Sequence, residues 1–400
     1  MRRILSLLHR WFGLFIALFL IVSGLTGAVI SWDHELDEWL NPQLFAATSF
    51  GDSKTALDLA NQLEHEHPEL QISFIPLAIE PEHNLVMSVS PTIDTTTGKA
   101  FELDYNQIAV DPVTGEIKGD RFWGEVSLSR ENLLPFLYKL HYSMHIPDAW
   151  GIELGILFMG IVAITWCVDS VIALWISFPN RSQWKKSFRF RLAQGNSKRN
   201  FDLHRSGGVW IWGFLLLLAL TSVSMNLSFQ VMRPLVNIFS ELTPSPFDTT
   251  TPNPPDQPIA PKLTREEILV LAQQKAQAES INNNAGGIFY VPSMGIYGVG
   301  FYDVGNGHGD GGLGNPWFYF DSNNGHYLGA QIPGTGTAGD IFMQAQFPLH
   351  SGRIIGLPGR IFISMMGLVV AGLSITGLII WTRKRRAKKL TREMATAEYA

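Results

Sequence analysis

Four histidines, His9, His141, His204 and His350, each stand within a turn or two of an apolar stretch long enough to cross a bilayer, and they form two matched sets. His9 and His204 sit in the tripeptide Leu-His-Arg (Leu8-His9-Arg10 and Leu203-His204-Arg205), whereas His141 and His350 follow Leu140 and Leu349. Imidazole offers one ring nitrogen to a metal and keeps the other for orientation. Such side chains at both ends of a helix bundle are what axial haem ligation requires. The chain has one cysteine, Cys167, and no Cys-x-x-Cys-His, so the expected cofactors are two haem b groups held without thioether links. Any one histidine at a membrane boundary is more often an amphipathic interfacial residue. Recurrence in both halves of the chain with register kept is what favours ligation, and with it an electron carrier.

The frame that must position these residues is membrane α-helical. The chain has 400 residues, 46% of them hydrophobic, and four runs of about 20 apolar residues fall at approximately 11–32, 152–178, 209–231 and 361–381. Basic residues cluster at Arg2-Arg3, across 181–205 and across 383–389. Four spans put all three clusters on one side, which the positive-inside rule makes cytoplasmic together with both termini. The lipid bilayer is thus their expected partner, and no nucleic acid is. The connections 33–139 and 232–348 then face the periplasm from a bacterial inner membrane. A cleavable signal peptide is the competing reading of the N-terminus, but the apolar run is too long for one and cleavage would discard His9.

The order basic end, histidine, span, helix, strands, histidine, span occurs twice. The offsets are 204 − 9 = 195 and 350 − 141 = 209, and the difference of 14 is read as an insertion in the second outer segment, in the Gly/Asn-rich stretch 282–315. Each outer segment predicts an amphipathic helix (54–66 and 264–278, the latter opened by a Thr264/Glu267 capping box), then alternating strands (71–79 and 84–90; 287–292 and 296–302), then a hairpin (108–117; 317–327). Seven prolines in 243–261, Pro255 among them, predict an extended linker outside any core.

The resulting organisation is a first span (1–32), a first extracytoplasmic α+β domain (33–139), a second span with its lead-in (140–178) and a basic cytoplasmic loop (179–203). A third span (204–231), an extended region (232–263), a second α+β domain (264–348), a fourth span with its lead-in (349–381) and a basic tail (382–400) follow.

A pseudo-twofold axis along the membrane normal sets His9 against His204 at the cytoplasmic face and His141 against His350 at the outer face. Gly13 and Gly208, four residues after their histidines, leave room on the same helical face for a flat macrocycle. Arg10 and Arg205 are placed to bind propionates. His145, one turn after His141, and His34, at the outer end of the first span, are alternative outer ligands, although the position matching His145 in the second half is Ile354. Asp169, deep in the second span, reads equally as part of a proton or quinol path or as a neutral carboxyl bonded to nearby Ser or Thr. His65, His67, His83, His308 and His326 read as solvated surface residues, and the spacing of His65 and His67 is unspecific for a metal. The run Gly305 to Gly312 reads as an outer loop rather than a nucleotide loop.

Leu8-His9-Arg10-Trp11-Phe12-Gly13-Leu14, Leu203-His204-Arg205-Ser206-Gly207-Gly208 and the run from Leu349-His350-Ser351-Gly352-Arg353 to Pro358-Gly359-Arg360 resemble PepSY-associated transmembrane-helix proteins, and Asp111-Pro112-Val113-Thr114-Gly115-Glu116 resembles their PepSY-domain hairpin. The resemblance covers essentially the whole chain. It implies an inner-membrane protein with two periplasmic PepSY-like domains, often iron-regulated, in a family where some members are di-haem reductases of ferric siderophores. His9, His204, His141 and His350 would then be the axial ligands, and a ferric siderophore or other ferric chelate the substrate. The cytoplasmic segments are too short to fold a flavin or nicotinamide domain, so quinol or a separate reductase must donate electrons. The alternative is a non-redox one, in which the helices anchor PepSY-like modules that restrain a periplasmic protease or sense the envelope.

Overall fold

The computed structural model describes residues 1–254 and 256–398; Pro255 of the linker and Tyr399-Ala400 of the tail lie outside the described residues. Helix α1, Arg2–Ile30, has a basic first part, is mostly apolar from Trp11 onward and contains no proline, and it stops where Ser31 Oγ turns back to bond Gly27 O at 2.8 Å. After a short helix, Asp33–Leu40, the chain enters the outer region. There, helix α2 (Ala56–Glu66) is capped by the Thr55 side chain. Strands β1 (Leu70–Pro76), β2 (Leu85–Pro91), β3 (Gln107–Val110) and β4 (Ile117–Arg121) follow, and α3 (Leu133–Ser143) leads back to the bundle. Helix α4, Leu154–Ser177, crosses the bundle, and α5 (Asn196–Trp210) and α6 (Trp212–Asn226) open the second half. The second outer unit holds α7 (Arg265–Ala278, with the expected Thr264/Glu267 capping box), β5 (Ala285–Val291), β6 (Ile296–Phe301), β7 (Trp317–Asp321) and β8 (Tyr327–Gln331). Helices α8 (Gln346–Ser351) and α9 (Leu357–Glu398) end the chain.

Three helices, α1, α4 and α9, are each long and apolar enough to cross a membrane. The expected third span, 209–231, is not one straight helix: α5 and α6 meet at a 71° bend, and Ile211 at the joint leaves helical geometry. Ser206-Gly207-Gly208 just before the joint and Gly213 just after it weaken the helix locally, the usual cause of such kinks. Two indoles pin the bend, Trp210 Nε1 donating to Phe188 O at 3.1 Å and Trp212 Nε1 to Ser170 O at 2.9 Å. The expected tail from 382 is helical and continuous with α9, because its Arg, Lys, Ala and Leu residues are strong helix formers.

The two outer units, expected as separate α+β domains, share one eight-stranded antiparallel sheet in the order β4-β3-β2-β1-β5-β6-β7-β8. The join is β1 with β5, through Phe74↔Phe289, Ile75↔Ile288 and Pro76↔Gly287. Each of these strands would otherwise be an exposed edge, and pairing removes both edges at once. Helices α2 and α7 contribute to one shared core, in which Leu59 and Leu63 of α2, Ile268 of α7 and the strand residues Ile72, Met87, Ile288 and Phe318 are all buried. A part-buried bidentate ion pair ties the halves together: Arg265 reaches Glu64 at 2.6 and 2.9 Å and also donates to Ile72 O at 3.1 Å.

Element offsets relocate the insertion. From α2 to α7 the offset is already 265 − 56 = 209, equal to that of the sheet-end histidines. The gap after β2 equals the gap after β6, 107 − 91 = 317 − 301 = 16, so the Gly/Asn-rich stretch adds nothing. The extra 14 residues therefore lie before α7, in the Pro-rich region. That region is also more than a spacer, since Pro246 is buried and Phe247 packs edge-on against Tyr319 with ring centroids 5.2 Å apart.

Candidate functional site

Helix α1 carries His9 near its start, and α5, before the bend, carries His204; their ring centroids lie 6.1 Å apart with planes at 39°. At the sheet end, α3 carries His141 and α8 carries His350, and these centroids are also 6.1 Å apart, at 63°. Two imidazoles that share a metal through bonds of about 2 Å, each donor nitrogen about 1 Å from its ring centre, have centroids about 6 Å apart. Both separations match.

Each ring is held through Nδ1. His9 Nδ1 faces Asp169 Oδ1 at 2.9 Å. His204 Nδ1 meets Leu373 O at 3.0 Å and Thr376 Oγ1 at 3.2 Å. His141 Nδ1 meets Ser23 O at 2.9 Å and Thr26 Oγ1 at 3.2 Å, and His350 Nδ1 meets Thr221 Oγ1 at 3.0 Å. A backbone carbonyl or carboxylate only accepts, so Nδ1 is the protonated nitrogen of His141, His204 and His9, and Nε2 carries the lone pair. No Nε2 of the four has a hydrogen-bond partner among the described residues. One nitrogen oriented by a second group and the other left open is the arrangement of a metal-binding histidine.

The two pairs are separated along the bundle. Thr26 lies 26 − 9 = 17 residues beyond His9 on α1, a rise of about 25 Å. Between them Met159, Val162, Leu218 and Met366 pack as an apolar layer with Ile16 and Leu20, two residues that also line the cavity around His9 and His204.

Around His9 and His204 lies a cavity of about 1230 Å³, with Arg3, Arg10, Arg205, Lys384, Arg385 and Lys388 in its lining. Nothing stands within 4 Å of a Cβ built on Gly208, and on Gly13 only Asp169 Oδ2 does, at 4.0 Å, so both glycines border open space as the sequence implies. Arg205 sits 5.1 Å over the Phe201 ring and donates to Lys186 O, while its Nε is buried with no partner. Arg10 lies over Trp11 at 5.3 Å. A buried, unsatisfied guanidinium nitrogen beside an open cavity fits an anionic ligand group there.

The remaining sequence candidates resolve as follows. His145, expected as an alternative ligand, is engaged elsewhere: Nε2 bonds Phe136 O at 2.9 Å and the ring stacks on Phe136 with centroids 4.6 Å apart. His34 likewise turns to Glu38, 3.2 Å away, rather than to the sheet-end pair. Asp169 has a partner that neither sequence reading named, His9. Glycines in close contact with the paired imidazole rings are not the expected ones: a Cβ on Gly27 would stand 2.9 Å from His141 Cε1, and one on Gly377 would stand 3.1 Å from His204 Cε1. Thr26 and Thr221 were also missed, although their spacing, 221 − 26 = 195, repeats that of His9 and His204 and was available as a signal.

A family model described as the PepSY-associated TM region matches residues 6–384, a span that includes all four histidines, Asp169 and the whole sheet. No curated protein matches the chain.

Proposed function

The chain belongs to the PepSY-associated TM family and is a membrane protein, and from that premise we propose that it is a b-type di-haem electron-transfer protein that carries electrons from the cytoplasmic side of the bacterial inner membrane to a periplasmic ferric chelate, as a ferric-siderophore reductase. The observation that carries this reading is the doubled histidine geometry: two pairs, each at 6.1 Å between centroids, with every Nδ1 anchored and every Nε2 open.

His9 and His204 would hold one haem and His141 and His350 the other; when bound, haem supplies reversible one-electron chemistry at each end of the bundle. The chain's own residues do the rest. Asp169 accepts from His9 Nδ1 and so fixes both the tautomer and the ring orientation. Arg205, with its unpaired Nε, and Arg10 offer charge-assisted hydrogen bonds to propionates at the basic end. Thr26 and Thr221 orient the rings at the sheet end. Met159, Val162, Leu218 and Met366 give the path between the pairs an apolar layer.

Electrons enter from quinol or a separate reductase on the basic side. The substrate face is the sheet side, and a chelate there would release its metal on reduction because carboxylate and hydroxamate oxygens hold ferrous iron less well than ferric. An anchor for a protease-restraining or sensing module, the alternative, has no use for four imidazoles with oriented second nitrogens.

Visible spectroscopy of the purified, dithionite-reduced protein tests the first half. Two six-coordinate b-type haems per chain are expected, with His9→Ala and His350→Ala each removing one of them. Absence of haem, or loss of both groups from either substitution, overturns the two-site reading. Reduction of a panel of ferric chelates by the protein in liposomes tests the second half.

A further inference from the structure

A second group of donor atoms sits on the sheet side, apart from both histidine pairs. The helix Asp33–Leu40 places His34 and Glu38 one turn apart on one face. The segment between β1 and β2 brings Glu80 and His83 to the same place, and its backbone is tied down: His83 bridges to Ala46, Ala47 N donates to Glu82 O at 2.8 Å, and Asn84 Nδ2 donates to Leu44 O and Ala46 O at 3.1 Å each. One donor atom from each of His34, Glu38 and Glu80 lies within 4.8 Å of the others. Both imidazoles converge on one oxygen, with His34 Nε2 and His83 Nε2 each 3.2 Å from Glu38 Oε1.

Proton bookkeeping sets what can stand between His83 and Glu38. His83 Nδ1 lies 2.8 Å from Pro81 O, and a carbonyl can only accept, so Nδ1 carries a hydrogen. His83 Nε2 therefore meets the Glu38 carboxylate across either a second imidazole proton or a bound cation. Among the described residues no Lys or Arg pairs with Glu38 or Glu80. Adjacent donors bound to one ion at about 2.1 Å lie about 3–3.4 Å apart, which is the spacing seen around Glu38 Oε1. Mixed imidazole and carboxylate donors suit zinc, ferrous iron or manganese, whereas calcium and magnesium take oxygen ligands alone.

We propose that His34, Glu38 and Glu80 form a binding site for one divalent transition-metal ion on the sheet side of the protein, with His83 beside Glu38. The site stands independently of the haem reading. His34, read from sequence as an alternative outer haem ligand, takes this role instead.

Full-length protein in detergent, stripped with chelator, would be titrated with Zn²⁺ by calorimetry and with Co²⁺ by visible absorption. One ion per chain is expected, with cobalt bands typical of nitrogen and oxygen donors. Glu38→Gln and His34→Ala should each weaken binding about tenfold or more, while His65→Ala leaves it unchanged and circular dichroism verifies that each variant is folded. Binding that survives both Glu38→Gln and His34→Ala, or that disappears in His204→Ala or His350→Ala instead, overturns the assignment, as does absence of binding.

Discussion

The two histidine pairs have the same centroid separation and different surroundings. At the basic end His9 leans on a carboxylate, that of buried Asp169, and the pair opens onto a cavity of about 1230 Å³. At the sheet end His141 and His350 lean on a carbonyl and on threonine hydroxyls, with no carboxylate at either ring among the described residues. A carboxylate on Nδ1–H raises the electron-donating power of the ring and so favours the more positively charged state of any metal on Nε2. On the proposed di-haem reading, the two ends would differ in affinity for an electron, with the stronger acceptor at the sheet end, where the proposed substrate would dock. Within the basic-end pair the carboxylate was not duplicated, because 169 + 209 = 378 and position 378 is leucine, and His204 leans on Leu373 O and Thr376 instead.

Removing a ring is the largest perturbation of this comparison. His204→Ala and His350→Ala should each leave one haem of two by pyridine haemochrome assay and abolish transbilayer electron transfer in liposomes. If one substitution empties both sites, the pairs are not independent. Asp169→Asn comes next, since it keeps the size of the side chain and removes its charge. The midpoint potential at the basic end should rise by on the order of 60 mV, the equivalent of a tenfold change for one electron, while the sheet-end potential stays put in a redox titration. Equal shifts at both ends would dissolve the contrast.

Gly27→Ala should disturb only the sheet end, because its Cβ would stand 2.9 Å from His141 Cε1, whereas Gly13→Ala meets nothing nearer than 4.0 Å among protein atoms. Selective loss of sheet-end haem in Gly27→Ala is the expected spectrum. A finer test separates the two threonines. Thr221→Val strips His350 Nδ1 of its hydroxyl, the one partner seen there, while Thr26→Val leaves His141 Nδ1 on Ser23 O. The potential shift should be the larger in Thr221→Val, and smaller in both than in Asp169→Asn. The least effect is spectroscopic: ring planes at 63° rather than 39° should give the sheet-end site the larger maximal g value in electron paramagnetic resonance.

Much of the site is legible in the sequence, for a physical reason. Histidine, glycine and charge at fixed offsets from long apolar runs are one-dimensional patterns, and they named all four rings in the right pairs. The partners of those rings were not readable in the same way. Ser23, Leu373 and Thr376 act through a carbonyl or a single hydroxyl, groups that apolar helices contain in numbers, and only packing decides which one faces a ring. Asp169 was conspicuous as a buried carboxylate, yet its partner is 160 residues away in sequence. Gly27 and Gly377 drew no notice because small residues are common in apolar helices.

In the fold, the alternation of strands and the Thr264/Glu267 capping box locate the strands and the long helices of the outer units, but not the short helix Asp33–Leu40. The fusion of the two units into one sheet rests instead on β1 meeting β5, an edge-to-edge match across more than two hundred residues that no local pattern announces. What the sequence determined by itself was the set of local quantities: which segments are apolar enough to leave water, where helices start, and which side chains can bind a metal. Tertiary structure alone decided the bend between α5 and α6, the single sheet, the carboxylate behind His9 and the convergence of His34 and His83 on Glu38. Each of these depends on which surfaces meet in space, and a contact between distant segments leaves no periodicity in either.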